Sequence, residues 1–570
     1  MTDALRRLRA RYDLSVGTLS MSAVLWGFFA LFLAYSLAHV VHEAFVVDGR
    51  FSLTFFRLIA TSPVQQQCII NSLNLGVAAT VLTTLIALPL AYVMANYSFR
   101  GKQCLQALLL VPMVMPPFVG AIGMQQFFAR FGSVNLLLMK LGIIHDPVDW
   151  FAGAGFLGVV ILEALHLYPI MYLNVAAAMA NVDPSLEEAA RNLGASRWRV
   201  FRTITSPLML PGYFAGAVIV FIWAFTDLGT PLVFHYRNVI AVQIFEKVAD
   251  QKVDPMGYAL VVLIAALTLV FFYLAKRFVG GQRYEMLARG HVGDRERPAT
   301  GRKLVAIYAT TLGVIALAML PHISVALTSI TQRWFMTVLP TEVTLAYYGQ
   351  VFTHDVTLPS IKSSLFYSSL STVVDVTFGV GIAYLLTRKR VPGAGLLDAT
   401  AMLPLALPGL VLAFGYVGCF SGWRGLDPRE NPTALLIVAY AVRRLPYALR
   451  AAYAGFQQTS VTLEEASLNL GASPMRTLRR ITLPLVAANL VAGAVLAFAF
   501  AMLEVSDSLV LAMREQYYPI TKAILAMLQR PVDGPYVASA MGVLGMALLA
   551  VSLLVAGSFL GKRMGELFRA

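Results

Sequence analysis

Six ionisable side chains occupy positions where charge is costly to keep: Glu163, His166, Asp227, Arg443, Arg444 and Glu504 all fall within long apolar stretches of the 570-residue chain. In hydrocarbon such a group costs about 2.5–3.5 kcal/mol on insertion scales, so each is a candidate for function. The chemistry open to them is electrostatic. Arg443 and Arg444 can attract an anionic solute or a phosphonate-like group, while Pro169 and Pro446 loosen backbone that can line a cavity. The alternative is an interhelical ion pair joining Arg443 or Arg444 to Glu504, Glu163 or Asp227. Asp375 is a further acid in an apolar stretch, and no role is assigned to it.

Motifs for bond-making chemistry are missing. Gly557 to Arg563 (GSFLGKR) lacks the spacing and the hydroxyl of a phosphate-binding GxxxxGK[ST] loop, so the chain does not hold ATP by that device. Gly153, Gly155 and Gly158 match a dinucleotide fingerprint by letter, but no strand precedes them and close helix packing accounts for them better. The eight histidines form no metal-ligand spacing, and Cys68, Cys104 and Cys419 have no partner pattern. No metal and no bound cofactor are expected.

Positioning these residues is the work of membrane helices. Only 13% of the chain is charged and 58% is apolar, against roughly 25% charged in soluble domains. The net charge of +14 does not indicate nucleic acid, because the basic residues cluster in short tracts such as Arg6, Arg7, Arg9 and Arg11, or Arg388 to Arg390. Twelve apolar runs are long enough to cross a bilayer, at 19–41, 70–94, 105–128, 156–179, 208–233, 256–279, 303–329, 363–387, 397–419, 432–455, 485–511 and 536–561. The first is read as an uncleaved span. No period-two alternation is present, which favours helices over an outer-membrane barrel. Basic residues are in excess in the intervening segments that face the cytoplasm when both termini lie inside, with Lys562, Arg563 and Arg569 at the C-terminal end.

The chain repeats itself. Residues 187–208 and 464–485 agree at 14 of 22 positions at an offset of 277. A weaker register at offset 292 links Ser72 to Ser364, and Pro112, Pro116 and Gly123 to Pro404, Pro408 and Gly415, so an insertion of 15 residues is expected near 130–152. By the first offset Glu163 and His166 are equivalent to Tyr440 and Arg443, and Asp227 to Glu504; by the second Asp375 has only Thr83 as its counterpart. The expected architecture is an all-α polytopic membrane protein of about twelve helices in two parallel six-helix repeats. The first half covers 1–279, a cytoplasmic linker 280–302, and the second half 303–570.

Each copy of the repeated block falls between the fourth and fifth spans of its half, on the cytoplasmic side. Ser185-x-x-Glu188 and Thr462-x-x-Glu465 predict capping boxes, Gly194 and Gly471 a helix end, and Ser196 and Ser473 new N-caps. The second helix is expected to stop before Pro207 or Pro484. The product is a helix–bend–helix elbow with a basic outer limb. It rests on anionic lipid or serves as a handle for a cytoplasmic partner.

At these residues the sequence resembles a known family. Glu188, Ala189, Gly194, Ile204 and Pro207, and again Glu465, Ala466, Gly471, Ile481 and Pro484, are similar to the EAA motif of type I ABC importer permeases. Two positions depart from it, Ser206 for the usual Leu and Ser467 for the usual second Ala. The resemblance implies two copies of a cytoplasmic ABC ATPase, with ATP on that partner, each docked to one elbow. It implies too a periplasmic or extracellular solute-binding protein, a place in the bacterial inner membrane, and alternating access with no catalysis by this chain. The loops FTDLGTPLVF at 225–234 and DGPYVASAMGV at 533–543 resemble the ferric-iron, thiamine and 2-aminoethylphosphonate branch. Rival classes are a secondary transporter and an intramembrane enzyme. The first has no need of two like docking loops, and the second lacks clustered catalytic residues.

Overall fold

The computed structural model describes residues 15–151, 155–180, 182–248, 255–280 and 296–560. The basic tract before residue 12, most of the predicted linker, Gly153, and Lys562, Arg563 and Arg569 lie outside the described residues. Nine helices among those described are long and apolar enough to cross a membrane, and each coincides with a predicted span. The tenth predicted span is the helix Thr433–Gln458, kept out of the apolar set by Arg443, Arg444 and Arg450.

Predicted spans 105–128 and 397–419 are not straight. Lys102–Val114 meets Pro117–Lys140 at 94°, and Ala394–Ala406 meets Gly409–Phe420 at 102°. The cause is local. Met115 and Leu407 precede prolines and are extended (ψ 135° and 133°), because the following ring excludes the helical conformation.

Within each half the helices of the second, fourth and fifth spans form the core. Pro63–Asn96, Phe156–Ala180 and Ser206–Thr226 pack together in the first half, and Thr357–Arg388, Thr433–Gln458 and Leu483–Met502 in the second. One hydrogen bond marks the repeat clearly. Ser72 Oγ accepts from Ile240 N–H at 2.9 Å, and its equivalent Ser364 accepts from Ile520 N–H at 2.6 Å, each hydroxyl fixing the start of a short helix. The predicted insertion is where expected: 129–155 separates the third and fourth span helices in the first half, and only 421–432 in the second. Its extra length carries the helix Ser133–Lys140 and is organised by the buried Asn135, which bonds Val148 and Trp150.

The first helix of each half lies across the other half. Leu25, Phe29 and Leu33 are buried among residues of the second half, and Ser36–Phe45 packs on Gly409–Phe420 of that half as well as on Pro255–Gly280 of its own. Reciprocally, Gly301–Ser329 packs on Pro117–Phe128. Gly123 and Gly415 allow these crossings: a Cβ on Gly123 would lie 2.6 Å from the Pro321 carbonyl oxygen, and one on Gly415 3.0 Å from Val40. The end of the predicted linker is tied to the first half, with Arg297–Pro298 pairing parallel to Tyr97–Ser98 and Glu296 bonding Lys102 at 2.6 Å.

Candidate functional site

The two elbows are built from the same parts. Asp183 caps the helix Pro184–Asn192 by accepting the Ser185 N–H at 2.9 Å, and that bond holds its carboxyl below the usual carboxylate range. Ser460 caps Val461–Asn469 through the Thr462 N–H. The predicted capping boxes are therefore incorrect. Ser185 and Thr462 already lie inside their helices, and Asp183 and Ser460, two residues earlier, have met the free amides.

Both helices end in a Schellman turn. Gly194 (φ +83°) and Gly471 (φ +86°) donate to the Arg191 and Leu468 carbonyls, and Ala195 and Ala472 donate to Ala190 and Ser467. Ser196 and Ser473 then accept the Arg199 and Arg476 N–H at 3.3 Å each, as expected for N-caps. The outer limb does not stop before Pro207 or Pro484. It runs through a π turn, Phe201–Thr205 or Leu478–Thr482, directly into the membrane helix. The prolines fall in the first turn of that continuing helix, where a missing N–H is tolerated, so Ile204 and Ile481 sit in the π turns.

Neighbouring glutamates in the elbow divide the work. Glu187 and Glu464 are buried, whereas Glu188, Ala189, Glu465 and Ala466 are exposed. Glu187 accepts from Thr205 at 2.7 Å and from Arg191 at 2.8 Å. Glu464 instead pairs with Arg388 at 3.0 Å, and Arg388 also donates to the Phe456 and Thr459 carbonyls, which clamps the second elbow to the eighth span. Ser467, the departure from the usual Ala, has a local reason: its hydroxyl bonds Thr477 at 2.9 Å, where the first elbow has the apolar pair Ala190 and Val200. Beyond these contacts Leu193 and Leu470 are each 89% exposed, with Trp198 and Met475 nearly as free.

Inside the membrane the two halves differ. Arg443 Nη1 donates to Glu504 Oε1 at 2.6 Å and lies 3.6 Å from Asp507, and Arg444 Nη2 pairs with Glu504 Oε2. The predicted interhelical pair thus forms with Glu504. Glu163 and Asp227 take no part in it. Thr230 joins them instead, its hydroxyl donating to Glu163 and its N–H to Asp227, both at 2.9 Å. His166 bonds the Pro112 carbonyl at 3.0 Å across the break in the third span. Asp227 and Glu504 do not lie within continuous helices, as the spans 208–233 and 485–511 required. The helices end at Thr226 and Met502, and each carboxylate accepts one N–H from the first turn of the short helix that follows, Asp227 from Thr230 and Glu504 from Asp507. Asp507 is a site residue that the sequence candidates lack; the available signal was a second acid in the apolar run 485–511, three residues after Glu504.

A cleft between the halves reaches the two arginines of this cluster, while Glu504 and Asp507 stay buried behind them. Trp223 and Thr226 of the first half face Pro404, Pro408, Arg443 and Arg444 of the second. A smaller cavity at the other break is lined by Pro112, Met115 and His166 with Pro321 and His322. Of the dinucleotide-like glycines, Gly155 and Gly158 serve packing, since Cβ atoms on them would press on Phe234. Gly409 has a sharper role: a Cβ there would lie 2.0 Å from Arg443 Nη1. Gly409→Ala is expected to push the guanidinium off Glu504 and to cost about 1–3 kcal/mol. A thermal scan beside Gly395→Ala, a helical glycine with nothing within 4 Å, checks it; equal melting of the two variants would remove the constraint.

The chain matches the family described as binding-protein-dependent transport system inner membrane component twice, over residues 87–284 and 375–566. A ferric transport system permease protein of Haemophilus influenzae is 29% identical over 490 residues, covering 83% of this chain and 75% of that protein. One from Actinobacillus pleuropneumoniae is 29% identical over 498 residues, covering 85% and 70%. A molybdenum transport system permease protein of Escherichia coli K12 is 33% identical over 182 residues, covering 31% of this chain and 74% of that protein.

Proposed function

The chain belongs to the family of binding-protein-dependent transport system inner membrane components, and from that premise we propose that it supplies both membrane halves of one ATP-driven importer. Residues 1–279 and 303–570 are the halves and 280–302 the cytoplasmic linker, crossing the inner membrane twelve times with both ends inside. The single observation that carries the coupling is the pair of elbows. Each is rigid, capped at both limbs, basic on its outer face, and holds an almost bare leucine at its bend. Two cytoplasmic ABC ATPase subunits, which bring the ATP, dock there; anionic lipid neighbours the exposed arginines. Their closure moves both elbows, and because each outer limb is continuous with a membrane helix, the motion reaches the cleft between the halves. A solute-binding protein delivers cargo from the other side.

Ferric iron is the solute this reading favours. The relatives named for ferric transport align along both halves, whereas the molybdenum permease aligns with about a third of the chain. An anion such as 2-aminoethylphosphonate has less support, because Arg443 and Arg444 are already met by Glu504 and Asp507.

The test is ferric iron uptake into proteoliposomes holding the chain with its ATPase subunits and binding protein. Uptake is expected to require ATP. Gly471→Ala places a side chain at φ +86°, a strain of about 1–2 kcal/mol, and with Glu465→Ala it is expected to leave the protein folded while ATP hydrolysis continues without uptake. Uptake by the chain with no ATPase present would favour a secondary transporter.

A further inference from the structure

The arginine cluster of the second half has one carboxylate too many. Asp375 on the helix Thr357–Arg388 is fully buried, and neither of its carboxylate oxygens has a hydrogen-bond partner. Thr357–Arg388 and Thr433–Gln458 make the most extensive helix contact among the described residues. They run parallel, since Gly379 packs on Ala448 and Leu449 while Arg388, further on, reaches Phe456 and Thr459. A Cβ on Gly379 would lie 2.9 Å from Leu449 N. One helical turn back from this contact, Asp375 comes level with Arg444. Arg444 is itself half satisfied: Nη2 pairs with Glu504, while its buried Nε has no partner.

We propose that Asp375 is a second seat for the Arg444 guanidinium, exchanged with Glu504 during transport. This rests on the importer reading. Glu504 stands at the end of Leu483–Met502, the membrane helix that continues from the second elbow. When the elbow is drawn, that helix moves against Thr433–Gln458 and Glu504 moves with it. A buried guanidinium separated from its only carboxylate is strongly disfavoured, and such a step would stall. Asp375, on a different helix, receives the guanidinium, so charge is matched in both states and the barrier between them falls. The first half has Thr83 and Leu167 at the equivalent positions and has no such exchange. Asp375 is thus a positioning residue of the second half alone.

The test uses the complete complex in lipid nanodiscs, spin-labelled at the exposed native Cys104 and at Leu396→Cys, its equivalent at offset 292. The label separation is measured by pulsed dipolar spectroscopy with and without ATP and vanadate. The unsubstituted complex is expected to change distance with nucleotide. Asp375→Asn is expected to stay in the nucleotide-free distribution and to hydrolyse ATP about tenfold more slowly, with Asp375→Glu restoring both. Glu504→Gln, which removes the opposite seat, is expected to shift the populations the other way. A normal response by Asp375→Asn, or shifts of the same sign in the two variants, overturns the exchange. A missing nucleotide response in the unsubstituted complex overturns the importer reading itself.

Discussion

Replacing Leu193 and Leu470 together by aspartate is expected to abolish capture of the ATPase subunits while leaving the membrane part folded. Both side chains are 89% exposed, so neither supports the chain's own core. Filling a partner's groove with a leucine is worth about 1.5–3 kcal/mol, and loss of either contact weakens binding roughly 10- to 150-fold by the usual conversion. An aspartate adds the cost of desolvating a charge in an apolar groove. Each single variant is expected to lose one of the two ATPases, and the double variant both. Co-purification from detergent, with stoichiometry read by mass photometry, checks this. Undiminished capture by the double variant would return the elbows to the lipid surface.

Glu504→Ala is expected to be the most destabilising single change in the membrane core. It removes the one carboxylate shared by Arg443 and Arg444 and the acceptor of the Asp507 N–H in the first turn of Ser506–Leu511. Removing one partner of a buried ion pair costs about 3–5 kcal/mol. The expected loss lies near the lower figure, because Asp507 stays 3.6 Å from Arg443 and Asp375 is level with Arg444. Combining Glu504→Ala with Asp375→Asn should then cost more than the two changes apart. Thermal unfolding in nanodiscs measures all three; strict additivity would show that Asp375 and Glu504 do not share a partner.

Local chemistry explains which features sequence reading found. Gly194 and Gly471 need a left-handed backbone, and Ser196 and Ser473 need an amide to bind, so the bend is written in single residues. Helix starts were less secure, because Ser185-x-x-Glu188 has the letters of a cap while Asp183 is better placed to provide one. The bends at Met115 and Leu407 were present in Pro116 and Pro408, but their angle depends on what packs behind the break. The charge cluster was legible only as candidates. Which acid meets which arginine is decided by helix rotation and by a break at residue 503, neither of which an apolar pattern records. The crossing of the first helices left no sequence trace, since one apolar helix face is as good as another until the partner's glycines are in place.

That crossing sets a timetable for synthesis. Phe28 meets Phe378 at 4.8 Å, so at about 5–20 residues per second the Phe28 end of the first helix waits roughly 20–70 s for its partner to be made. It spends that time in lipid, where its apolar surface is not penalised. Gly301–Ser329 has no such delay, since the helix it crosses, Pro117–Phe128, has already left the ribosome. The two halves share a helix arrangement when finished but are unlike while being built: the second docks on arrival, and the first is closed only when residues up to about 456 have emerged.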